Sequence, residues 1–129
     1  NRKIEYCNNN GLSIKCMVCG ELKGVSDYDI HIILENLLDN AIEAALKAVN
    51  KRISVDIYSD EQAMVIKISN TTEENVLKNN PEMNTTKKDN SYHGYGIKNV
   101  SELVKKNNGT IEYIQLGVDI VQCRVLLML

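Results

Sequence analysis

The chain has no tryptophan, no phenylalanine and a single proline, Pro81. Six tyrosines are its only aromatic residues, so the core must be aliphatic, built from Ile, Leu, Val and Met. Neither sign of charge dominates: 15 Lys and Arg stand against 17 Asp and Glu, for a net charge of −2. That balance offers no basic field for nucleic acid or anionic lipid, so a polyphosphate site would need locally placed positive charge. No apolar run approaches the roughly 20 residues that span a bilayer. Asn1-Arg2-Lys3 leads into a polar segment rather than a signal peptide. Four cysteines are too few for a disulfide scaffold. Cys16 and Cys19 form a lone C-x-x-C, and two sulfurs without a downstream pair do not make a zinc site. All four thiols read as small apolar residues of a reduced, intracellular protein.

What is present suits one domain spanning 1–129. A chain of this size buries roughly two-thirds of its unfolded surface. Residues 1–10 are polar and end in Asn8-Asn9-Asn10-Gly11, a turn signal. Leu12 to Val18 alternates as a strand does. Ser26 or Asp27 is placed to cap a long helix, whose apolar residues Ile30, Ile33, Leu34, Leu37, Leu38 and Ala41 continue to Val49. Ile53 to Tyr58, a turn at Ser59-Asp60-Glu61, and Ala63 to Ser69 read as an antiparallel hairpin.

Residues 70–93 are dominated by Asn, Thr, Lys, Asp and Glu, the composition of a lid or a disordered loop. Gly94-Tyr95-Gly96 ends that stretch. Ile97, Val100, Leu103 and Val104 make a second amphipathic helix, closed by Asn107-Asn108-Gly109. Strands over Thr110 to Leu116 and Ile120 to Leu129 finish the chain, turning at Gly117. The sum is an α/β (α+β) two-layer sandwich, with the helices on one face of a mixed, mostly antiparallel sheet.

Three features carry chemistry. At about 100° per residue, Asn36, Asn40, Glu43 and Lys47 share one polar stripe of the long helix. Asn is a mediocre helix former, but its amide oxygen is a hard neutral ligand suited to Mg²⁺. A solvated helix face would look the same on spacing alone. The second feature is Gly94-Tyr95-Gly96 at a helix start, where backbone N–H groups and the helix dipole favour an anion. Lys87 and Lys88 lie just upstream and supply point charges for phosphates, or simply solvate a loop. The third is Asn70, where the hairpin runs out into the polar segment; it suits a base edge or a turn cap equally.

The order of these features is more specific than any one of them. Glu35-Asn36-Leu37-Leu38-Asp39-Asn40-Ala41-Ile42-Glu43-Ala44 resembles the N-box of the GHKL ATPase superfamily, in the form of Gram-positive quorum-sensing histidine kinases. Ile66-Lys67-Ile68-Ser69-Asn70-Thr71 is similar to that branch's adenine box. Thr85 to Asp89, then His93 to Val100, resembles its ATP lid and second glycine box. The resemblance runs from about residue 10 to the end.

It implies a Bergerat-type fold that binds ATP with Mg²⁺. Asn40 would ligate the metal with Asn36 assisting, and Asn70 would meet the adenine amino group. Gly94, Tyr95, Gly96 and Ile97 would frame the phosphates, with Lys87 and Lys88 as lid lysines. The activity implied is that of a protein-histidine kinase. The phosphoacceptor and dimerisation helices would lie outside this fragment, and a response regulator would act downstream. The whole would be the cytoplasmic end of a membrane-bound sensor, nearly inactive without its histidine.

The chain departs from the pattern in three places. Asn70-Thr71-Thr72-Glu73-Glu74 replaces D-x-G-x-G, and Glu43 stands where many relatives carry a phosphate-binding lysine; both changes imply weak nucleotide affinity. His93 replaces a lid residue that varies widely. Glu35 lies about 100° around the helix from Asn36, the position where ATP-hydrolysing relatives place their base. An amide there cannot take a proton, so water attack should be slow. His31 lacks the flanking sequence of a phosphoacceptor. Two other readings stay open: a degenerate, non-catalytic nucleotide-binding or interaction module, and a serine kinase of the anti-sigma-factor type.

Overall fold

In the computed structural model, residues 2–73 and 99–129 are described. Strand β1 (Ser13–Cys19) is followed by helix α2 (Asp27–Leu46) and strand β2 (Arg52–Ser59). β1 and β2 pair in parallel, from Ser13 opposite Arg52 to Cys19 opposite Tyr58. A parallel pair needs a crossover, and α2 is that crossover, so it runs back against both strands. Strand β3 (Ala63–Thr71) completes the hairpin with β2. β4 (Thr110–Gly117) and β5 (Ile120–Met128) form a second hairpin, and β5 pairs with β3. The sheet order is β1-β2-β3-β5-β4, mixed and mostly antiparallel, as the sequence pattern predicts.

Alternation fixes which face is buried. Ile53, Val55 and Ile57 of β2 and Met64, Ile66 and Ile68 of β3 point inward. They meet Ile33, Leu37, Ala41 and Ala45 of α2, the stripe expected from the 3.6-residue period. Each fully buried Ile or Leu in this layer contributes about 1.5–3 kcal/mol. Ser26 is the N-cap of α2: it is extended (φ −63, ψ 143) and its Oγ accepts from the Asp29 N–H at 3.1 Å. The helix stops at Leu46, short of the expected end. Lys47 is the C-cap and Val49 is almost fully exposed, so the apolar spacing at Val49 belongs to a turn.

One helix is missing from the pattern expected. α1 (Arg2–Asn9) occupies the segment that reads as polar. Only Cys7 among its residues is buried, too faint a periodicity to mark a helix. Its end is well defined: Gly11 takes φ +72, and the Leu12 N–H reaches the Cys7 carbonyl at 2.7 Å while Gly11 N–H reaches Asn8. That is the paired-bond stop in which a left-handed residue satisfies the last carbonyls.

The third helix, α3, is helical over described residues 99–106. It ends with the same bond pattern, Gly109 N–H to Val104 O and Asn108 N–H to Lys105 O. Here Asn108 (φ 54), not the glycine, is left-handed. Gly109 is required for another reason: a Cβ there would stand 2.1 Å from the Leu126 carbonyl oxygen. Val100 and Val104 of α3 are buried in the same core.

The cysteines divide. Cys7 and Cys123 are buried free thiols, as expected of small apolar residues, but Cys16 and Cys19 are exposed. The expectation of packed apolar thiols fails for that pair, because β1 is an edge strand whose residues lie open on both faces.

Candidate functional site

Helix α2 is contacted on two flanks. On a wheel of about 100° per residue, Glu35, Asp39, Ile42 and Leu46 form one stripe. Asp29, Asn36, Asn40, Glu43 and Lys47 form another, about a quarter-turn around. The first stripe meets α1. Lys3 bridges Glu35 at 2.9 Å and also bonds Asp39. Arg2, Lys3 and Tyr6 line a groove of about 530 Å³ with Asp39, Ile42, Glu43 and Leu46. Partial burial opposes the Lys3 charge, yet hydrogen bonds to Asp39 and Glu35 outweigh it and raise the ammonium pKa. Glu35 is thus held on the α1 flank, off the Asn stripe, as its helical position predicts.

The second stripe faces the side where α3 lies. Asp29 is buried, and its Oδ2 accepts from Asn107 Nδ2 at 3.2 Å and pairs with Lys106 Nζ at 3.1 Å. These bonds, the Asn107 one foremost, hold the carboxyl below its ordinary range. The contact ties the C-terminal end of α3 to the N-terminal end of α2. Sequence reasoning does not single out Asp29. The available signal is Ser26-x-x-Asp29, an acid three residues past an N-cap.

Asn36 and Asn40 are both half-buried. Asn36 Nδ2 donates to the Ile32 carbonyl one turn back at 2.8 Å, which leaves its Oδ1 as the amide's remaining acceptor. The Asn40 carboxamide carries no hydrogen bond to another described residue. Among the described residues no group of three or more His, Cys, Asp or Glu is poised to hold a metal. A divalent ion at this stripe would therefore lean on amide oxygens and on a ligand's own oxygens. The donor set fits Mg²⁺, which tolerates few protein ligands and keeps water or phosphate around it.

Asn70 continues the inward row of Met64, Ile66 and Ile68, opposite Ile53 and Val121. Because α2 runs against β2, its C-terminal half overlies the sheet end where β2 starts, and that is where Asn70 stands. The fold thus brings Asn40, Glu43 and Asn70 to one end of the two-layer sandwich. Asn70 Nδ2 donates to the Thr71 carbonyl at 3.1 Å, and its Oδ1 has no partner among the described residues.

Sequence reasoning also passes over Thr71 and Thr72. Both are buried. Thr71 Oγ1 accepts from Arg52 N–H at 3.0 Å, and the Thr72 N–H reaches the Asp119 carbonyl at 2.7 Å. In place of glycines, the strand end is pinned by threonine hydroxyls and a backbone bond.

Lys87, Lys88, His93, Gly94, Tyr95, Gly96 and Ile97 lie outside the described residues. His31 is exposed on α2. No helix among the described residues is long and apolar enough to cross a membrane.

Comparison with known proteins identifies the fold and the family. Among curated proteins no match is found. Of solved structures, the catalytic domain of histidine kinase ThkA superposes with a TM-score of 0.73 at 15% identity, over 97% of this chain and 83% of that one. A mycobacterial sensor histidine kinase, MprB, gives 0.71 at 15% identity, over 98% and 91%. The Acinetobacter baumannii histidine kinase AdeS gives 0.66 at 15% identity, over 98% and 61%. At such identities the likeness is one of fold. The family model of the GHKL domain matches residues 25–126, most of the chain and every described part of the Asn stripe. The chain belongs to the GHKL family.

Proposed function

We propose that this domain binds ATP with Mg²⁺ and supplies the γ-phosphoryl group for autophosphorylation of a histidine on a separate domain of a two-component sensor kinase. The observation that carries the reading is the stripe of α2. It presents two amide oxygens, Asn36 and Asn40, on the flank next to α3, with Asn40 toward the sheet end of Asn70 and no carboxylate one turn before Asn40. Asn40, with Asn36 one turn earlier, would hold the metal. The metal–nucleotide supplies the transferable phosphoryl group and neutralises part of its charge.

The residues of this chain orient and protect. Asn36 cannot remove a proton from water, and Glu35 is paired with Lys3, so neither is placed to act as the base one turn before the metal-binding Asn. Asn70 Oδ1 is a suitable acceptor for an exocyclic adenine amine. Gly94, Tyr95, Gly96 and Ile97, just before α3 in the sequence, and Lys87 and Lys88 further upstream would supply the phosphate contacts. Phosphoacceptor and dimerisation helices, a response regulator and a place at the cytoplasmic end of a membrane-bound kinase belong to the same reading. The Gram-positive quorum-sensing branch rests on the form of the N-box and on the likeness of the adenine box, lid and second glycine box.

The test is calorimetric titration with a non-hydrolysable ATP analogue, with and without Mg²⁺. Magnesium-dependent binding, even at hundreds of micromolar, supports the site. No binding at millimolar analogue overturns it and leaves a contact module.

A further inference from the structure

The two edges of the sheet are built differently. β4 carries a register shift between Gln115 and Gly117 and a charged Glu112, and such irregularities discourage strand addition. β1 has no such irregularity. It pairs with β2 without interruption over all seven residues, Ser13–Cys19. It has no proline, and Lys15 is its sole charge. Every residue but Ile14 is exposed, including Met17 at 56% and Val18 at 50%. Its outer backbone edge is a row of hydrogen-bonding groups with apolar side chains on both sides.

We propose that β1 is a docking edge for the β1 strand of a second copy of this chain, joined antiparallel about a two-fold axis at Cys16. The strand's own sequence argues for this occupant. In the register centred on Cys16 all seven residues pair: Ile14 with Val18 of the other copy, Lys15 with Met17, Ser13 with Cys19, and Cys16 with itself. Apolar residues meet across the inward face, and Lys15 lies directly opposite Met17, with the other copy's Lys15 only its diagonal neighbour, so no like charges stand directly opposite each other. The parity is consistent, so both copies keep their helices on the same side of one continuous sheet. A two-fold pairing also closes, leaving no β1 edge for further addition.

One strand pair buries less than the about 1,200 Å² of a stable dimer, so the association is weak and concentration-dependent. The C-x-x-C gives a direct probe. Cys16 and Cys19 are three residues apart in an extended strand, about 10 Å, too far for a disulfide within one copy. Cys16 of two paired copies would be within bonding reach.

The experiment uses the whole chain. Diamide oxidises two thiols to one disulfide and takes up the two protons and two electrons released. Cys19→Ser, which keeps Cys16, should give a disulfide-linked dimer, and Cys16→Ser should give at least about tenfold less under the same conditions. Under reducing conditions, sedimentation equilibrium at high protein concentration should show dimerisation of wild type. Val18→Lys, at a half-exposed position, should abolish it while circular dichroism stays unchanged. Equal cross-linking by the two serine variants, or dimerisation indifferent to Val18→Lys, would overturn the proposal, since both mean collision or contact elsewhere.

Discussion

The two flanks of α2 use the same chemistry at different depths. On the α1 flank, Lys3 binds two carboxylates, Glu35 and Asp39, whose side chains are each 43% exposed. On the α3 flank, one carboxylate with 5% of its side chain exposed, Asp29, receives an amide and an ammonium. A pair in solvent is screened and contributes little, whereas a buried hydrogen-bonded charge is expensive to orphan. The α3 flank, which carries the Asn stripe, is therefore the anchored one, and the α1 flank is the loose one.

The sharpest way to break this contrast is at Asp29. Asp29→Ala should lower stability by about 2 kcal/mol, because Asn107 loses one of its two acceptors, Lys106 its partner, and the first turn of α2 its buried acid. For a domain this size the thermal midpoint should fall by roughly 5–10 °C. The pH dependence has a definite sign. The folded-state pKa is depressed from 3.8, so the stabilisation is complete above the unfolded value and is lost as pH falls through the folded one. The gap between wild type and Asp29→Asn in denaturant titrations should be constant at neutral pH and close below about pH 4. A gap unchanged at pH 2 would show that the carboxylate is not what holds the two helices.

A second substitution, on the same stripe, separates anchoring from binding. Asn40→Ala removes a half-buried amide with no described partner, so stability should change by less than about 0.5 kcal/mol. The magnesium-dependent part of ATP-analogue affinity should drop at least about tenfold. Unchanged magnesium dependence in the calorimeter would remove Asn40 from the proposed site.

How much of this was legible beforehand follows from how strongly each element is patterned. The 20-residue α2 and the β2–β3 hairpin advertise themselves, because burial repeats with the period of the backbone at every turn. α1 buries one cysteine, and nothing periodic distinguishes RKIEYCNN from a polar leader. The spacing of Asn36 and Asn40 was legible, but its meaning came from the order of motifs. Asp29 was not read as functional because its partners, Lys106 and Asn107, are more than seventy residues away and only the fold brings them together. Thr71 and Thr72 look like loop residues in sequence. They prove buried because side-chain and backbone bonds replace the turn that glycines would have made.

The smallest effect tests the loose flank. Lys3→Ala should cost no more than about 1 kcal/mol, and less as salt rises, since its partners face water. Its raised pKa means that the contribution is complete below the unfolded value of 10.5 and fades as pH climbs through the folded one. Glu35 would then be released next to the Asn stripe. It still projects about a quarter-turn from Asn36, so ATP hydrolysis should not rise. Phosphate release by Lys3→Ala at the wild-type rate would show that helical position, rather than the ion pair, keeps Glu35 from acting as a base. A clear increase would show that the α1 contact is what restrains it.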